Sequence, residues 1–114
     1  MKNLGIGALL KQAQKMQEDI SRIKKELAEM KVTGSSGGGM VVVTANGRQK
    51  ILNIKIEKEI FNSGDIEMAE ELISAAVNQA IERSQELATE QMGKATGGIL
   101  NNIPDGLKIP GLGF

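Results

Sequence analysis

Three groupings in this sequence hold residue types that could do chemistry. The first is Gly34-Ser35-Ser36-Gly37-Gly38-Gly39, a glycine-rich run of the kind that cradles phosphates. It lacks a Gly-Lys-Ser/Thr ending, and β-branched residues follow it, whereas a phosphate-binding loop opens a helix. It reads as a connecting turn. The second is the pair Glu70-Glu71, which could ligate a metal or act as acid and base. No other ligand type stands near it, so it reads as a solvated face. The third is Ser35 and Ser36 as nucleophiles. A serine hydroxyl needs a base, and the chain has no histidine and no lysine at a suggestive spacing.

The absences run through all 114 residues. Without cysteine there is no thiolate, no disulfide and no cysteine zinc site; without histidine the commonest base and metal ligand are gone. The expectation is a nonenzymatic protein with no cofactor, no metal and no small-molecule substrate. Cysteine-free composition fits a reducing cytoplasm. The apolar stretch Leu4–Leu10, broken by Gly5 and Gly7, is too short for a signal peptide. No run of 18 apolar residues exists, so no transmembrane helix and no membrane role is expected. Only two aromatic residues, Phe61 and Phe114, are present, which leaves no platform for stacking single-stranded bases.

What remains is electrostatic. Net charge is zero, with 14 basic and 14 acidic residues, but the two signs are segregated. Residues 1–31 hold seven basic and four acidic side chains, and residues 32–58 hold four and one. Residues 59–92 hold one basic residue, Arg83, and eight acidic ones. Lys11, Lys15, Arg22 and Lys25 recur at helical spacing, with Lys24 and Lys31 beside them. Arg48, Lys50 and Lys55 follow in a hairpin. Such an array can track a phosphate backbone and release counterions, and duplex DNA held by its phosphates is the natural form of that partner. Ordinary solubility is the plain alternative.

The elements that must position these cations follow from periodicity. Residues 8–31 read as one helix. Leu9, Ala13, Met16, Ile20, Ile23, Leu27 and Met30 step by four and three, a heptad seam. In a parallel homodimer Asp19 would face Lys24, and Glu26 would face Lys31. The seam could instead pack on the chain's own second helix. A short strand is expected over 31–34, and a second over 40–45, Met-Val-Val-Val-Thr-Ala. Asn46-Gly47 predicts a two-residue type I′ hairpin. A third strand over 48–57 should bury Leu52, Ile54 and Ile56. After a turn at 62–65, with Ser63 or Asp65 as N-cap, a helix over 66–92 should cover the sheet. Its stripe is Ala69, Leu72, Ile73, Ala76, Val77, Ala80, Ile81, Leu87 and Ala88. Residues 1–92 thus form one α-β-β-β-α domain of the α+β class, a two-layer fold with a small antiparallel meander covered by helices. Residues 93–114 read as a Gly/Pro-rich flexible tail or a docking arm.

Several stretches are similar to the YbaB/EbfC family of bacterial nucleoid-associated proteins. They are KQAQKMQ at 11–17, VTGSSGGGMVVVTANG at 32–47, the ILNIKIE return strand, and AAVNQAIERSQE at 75–86. The acidic segment before the second helix and the Gly/Pro-rich end also fit. The resemblance spans nearly the whole chain, most strongly 8–92. It implies the same α-β-β-β-α order in a homodimer with projecting, tweezer-like helices. It implies a cytoplasmic, nucleoid-associated protein that binds double-stranded DNA, alters its conformation and influences gene expression, without catalysis or cofactor. The family has no sharp DNA-contact motif, so the expected contacts rest on position alone: Lys11, Lys15, Arg22, Lys24, Lys25, Lys31, Arg48, Lys50 and Lys55. A dimeric protein-interaction module, using the helix pair or the apolar tail, is the other reading.

Overall fold

The computed structural model describes residues 3–95. Helix α1 spans Asn3–Glu29, strand β1 Lys31–Ser36, β2 Val41–Asn46 and β3 Ile51–Ile56. A short helix α2, Lys58–Asn62, precedes the long α3, Ile66–Ala95. The strands form one antiparallel sheet in the order β1-β2-β3. The α+β class and the element order follow the sequence pattern, with α2 added. The end of α3 at Ala95 moves the expected tail boundary three residues on. The tail itself, from residue 96, lies outside the described residues.

The inner face of the sheet carries Val41, Val43 and Ala45, all fully buried beneath Ala76 and Ala80 of α3. Alanines on the helix let it come close, and Gly34 on β1 lets it come closer. A Cβ at Gly34 would collide with the Ala76 carbonyl oxygen and the Ala80 nitrogen. Ser36 Oγ donates to the Leu72 carbonyl at 2.5 Å, and the Ser35 N–H donates to Gln79 Oε1 at 2.7 Å. Asp65 caps α3, its Oδ1 accepting the Met68 N–H at 3.0 Å.

Three departures from periodicity matter. First, α1 does not lie on the sheet. It begins earlier than expected and runs out beyond the sheet, with only its C-terminal half packed on α3. There Ile23 and Leu27 are buried with Ala88 and Met92, flanked by Ile20, Met30 and Leu87. The molecule is accordingly 75 Å long and 30 × 17 Å across. Secondly, the hairpin is not a two-residue type I′ turn. Asn46 ends β2 and bonds to Lys50, and the positive φ, 65°, falls on Gln49. Gly47 serves a different need: a Cβ there would stand 2.7 Å from the Leu27 carbonyl oxygen of α1. Thirdly, β3 contains a bulge. Ala45 pairs with Ile51 and Thr44 with Asn53, which inserts Leu52 as an extra residue. Leu52 and Ile54 remain 43% exposed because α3 crosses β1 and β2 and scarcely reaches β3.

Candidate nucleic-acid interface

The nine expected cations divide by location. Lys31 pairs across the sheet with Asn46, and Arg48 and Lys50 stand in the loop that Asn46 opens. These three therefore share one end of the sheet, where β1 begins and β2 turns into β3. Lys55 pairs with Val42, on the sheet face that turns away from α3. Lys24 and Lys25 lie one turn before the end of α1, near the same sheet end. Lys11 and Lys15 stand far out on the projecting half of α1. From Lys11 to Lys24 is about 20 Å of helix.

The sheet-end group is held by a small buried network. The Gly47 N–H donates to the Leu27 carbonyl at 2.8 Å and to that of Met30 at 3.1 Å, satisfying two of the open carbonyls at the α1 C-terminus. Asn46 Oδ1 accepts the N–H groups of Arg48 at 2.8 Å and Lys50 at 3.1 Å. Asn46 Nδ2 donates to the Ala28 carbonyl at 3.4 Å. Ser84 of α3, fully buried, donates to the Asn46 carbonyl at 2.7 Å and accepts the Gln49 N–H at 2.9 Å. Asn46 and Ser84 thus fasten the basic loop to both long helices. Asn46 is legible in the sequence only as a turn residue, and Ser84 interrupts an alanine stripe as a plain serine.

The cations differ in availability. Arg22 Nη1 lies 3.0 Å from Asp19 Oδ1, and its Nε lies 3.6 Å from Glu26 Oε1. Those are the carboxylates that a parallel coiled coil would have paired with Lys24 and Lys31. Their i−3 and i+4 spacing about Arg22 is readable in the sequence. Lys11, Lys15, Lys24, Lys25, Lys31, Arg48, Lys50 and Lys55 are exposed and have no ion pair among the described residues. Arg83, by contrast, donates to the Thr33 carbonyl at 2.8 Å.

The acidic half is displaced from this group. Glu82 and Glu86 fall at helical spacing on the side of α3 opposite Ser84, the residue bonded to the basic loop. Of the expected dimer seam, Ile20, Ile23, Leu27 and Met30 are taken up by the chain's own α3. Leu9 and Ala13 stand exposed, and Met16 is half-buried. Among the described residues no cluster of three acidic side chains could hold a metal, and no helix is long and apolar enough to cross a membrane. The Gly37–Gly39 turn joins β1 to β2, and Glu70 and Glu71 are exposed.

A family model described as the YbaB/EbfC DNA-binding family matches residues 1–99. A nucleoid-associated protein of Syntrophobacter fumaroxidans is 48% identical over 103 residues, spanning 90% of this chain and 91% of that protein. One from Caldanaerobacter subterraneus subsp. tengcongensis is 46% identical over 99 residues, 87% of each. One from Xanthomonas campestris pv. campestris is 46% identical over 105 residues, 92% of this chain and 95% of its own. Among solved structures, an uncharacterized protein from Helicobacter pylori superposes with a TM-score of 0.67 at 24% identity, covering 81% of this chain and 94% of that one. That likeness confirms the fold alone.

Proposed function

The chain belongs to the YbaB/EbfC DNA-binding family, and from that premise we propose that it is a nonenzymatic nucleoid protein that grips double-stranded DNA as a homodimer. Its effect is on DNA conformation, and through that on gene expression. The observation that carries this reading is the sheet-end group. Lys31, Arg48 and Lys50 are brought together by register and by the Asn46–Ser84 network, with no carboxylate paired to them. Rigidly presented cations fit phosphates, which position a protein without reading sequence. The unpaired Lys11, Lys15 and Lys25 extend the array along α1, on the face away from the apolar stripe.

The dimer is assigned to the β3 side of the molecule. Leu52 and Ile54 are exposed on an edge strand, and Phe61 of α2 and Ile66 of α3 are 68% and 73% exposed. Phe61 and Ile66 line a groove of about 270 Å³ between α2 and α3. An open strand edge beside exposed apolar side chains is a surface that a second copy would cover. The test is a salt series of gel shifts on several unrelated duplexes, with molecular mass measured in solution. A dimer mass, similar affinity for every duplex, and log affinity falling linearly with log salt are expected. Phe61→Asp with Ile66→Asp should yield a monomer. Salt-independent binding, or a monomeric parent protein, would refute the proposal.

A further inference from the structure

The apolar stripe of α1 is one heptad pattern from Leu9 to Met30, yet it is covered over only half its length. Ile20, Ile23, Leu27 and Met30 meet α3. Above them Leu9 is 66% exposed, with Ile6 at 62% and Leu10 at 61% beside it. The bare half begins where α3 runs out. Ser84 of α3 sits level with Ala28, through Asn46, and Met92 joins Ile23 in the next cluster. Helix α3 therefore climbs α1 toward the α1 N-terminus, and Ala95 stands about one turn short of the uncovered residues.

We propose that residues 96–114 of the same chain continue along this stripe and cover Leu9, Ala13 and Met16, with Ile6 and Leu10 at the margin. The segment starts at the foot of the bare face and needs no reversal to follow it. It has 19 residues, of which Ile99, Leu100, Ile103, Leu107, Ile109, Leu112 and Phe114 are large and apolar, against one acid and one base. From Met16 to Ile6 is about 15 Å of helix, which about five extended residues span. Pro104 and Pro110 disfavour a continued helix and suit an extended strap. A second copy of α1 is the poorer occupant. The uncovered region is about three turns long and includes Gly5 and Gly7, too little for a helix pair to hold in water. Lys11 and Lys15 face away from the stripe, so the strap leaves them open.

The full-length chain, being free of cysteine, takes a single nitroxide label at Asn102→Cys. Docking within the chain broadens the methyl signals of Ile6, Leu9 and Leu10 and spares that of Ile54. In a companion measurement, Leu107→Ser, Ile109→Ser and Leu112→Ser together, in the full-length chain, speed amide exchange across residues 8–16 by roughly tenfold. No broadening, or broadening only when label and observed methyls sit on different chains, overturns the proposal. So does exchange at 8–16 that the triple variant leaves unchanged.

Discussion

Replacing Arg22 and replacing the sheet-end cations should have opposite consequences for DNA binding, although both remove exposed positive charge. Each phosphate contact on duplex DNA contributes about −0.9 to the slope of log affinity against log salt. Lys31, Arg48 and Lys50 supply three contacts per chain and six in a dimer, a slope of about −5. Between about 50 and 200 mM salt that share of the affinity falls roughly a thousandfold. Lys31→Gln, Arg48→Gln and Lys50→Gln together should remove most of it. The loop should keep its shape, because Arg48 and Lys50 bond to Asn46 through backbone N–H groups that the substitutions retain. Arg22→Gln should change the slope by less than about one, since that guanidinium already faces Asp19 and Glu26. Those exposed pairs themselves are worth about 0–1 kcal/mol, so stability should hardly move. Fluorescence anisotropy on two unrelated duplexes across salt, with urea midpoints as a folding control, provides the comparison. If Arg22→Gln flattens the slope as much as the triple variant does, the division of the cations by availability is wrong.

Three further outcomes concern the scaffold. Gly34→Ala should destabilise the protein by about 3 kcal/mol or more, because the new methyl meets backbone of Ala76 and Ala80 that no rotamer can move; a urea-melt loss under about 1 kcal/mol would contradict the close approach. Gln49→Gly should stabilise by roughly 0.5–1 kcal/mol in the same assay, since φ of 65° burdens a side-chain-bearing residue and the N–H bonds to Asn46 and Ser84 survive. Ser84→Ala should cost about 1–3 kcal/mol by leaving the Gln49 N–H and the Asn46 carbonyl short of a partner, and the amide of Gln49 should then exchange faster with solvent.

The element order was legible because each segment carries an unambiguous period. Val41, Val43 and Ala45 alternate inward as β-branched spacing requires, and Ala76 and Ala80 stand four apart beneath them. Where one residue type serves two ends, local reading failed. Gly47 looks like a residue chosen for positive φ, but it is there because Leu27 leaves no room for a side chain. The left-handed conformation passed to Gln49, since Asn46 was already committed to Ala28, Arg48 and Lys50. The β3 bulge was equally hidden. Leu52, Ile54 and Ile56 alternate cleanly, yet the pairing of Ala45 with Ile51 changes which residues share the inner face.

The basic residues show the same limit at the level of the site. Helical spacing correctly puts Lys11, Lys15, Arg22 and Lys25 on one side of α1, but spacing along one element says nothing about which other element arrives beside it. The grouping of Lys31 with Arg48 and Lys50 depends on a strand register and on a serine 38 residues from the asparagine it anchors. The heptad stripe poses the problem most sharply. Its seven positions are chemically uniform, and periodicity treats them as one surface with one partner. In the structure the stripe is divided by the end of α3: below that point it is interior, and above it the same pattern is an unfilled surface. A hydrophobic period therefore specifies that something must cover a helix face, while the length of the covering element decides where one partner stops and another must begin.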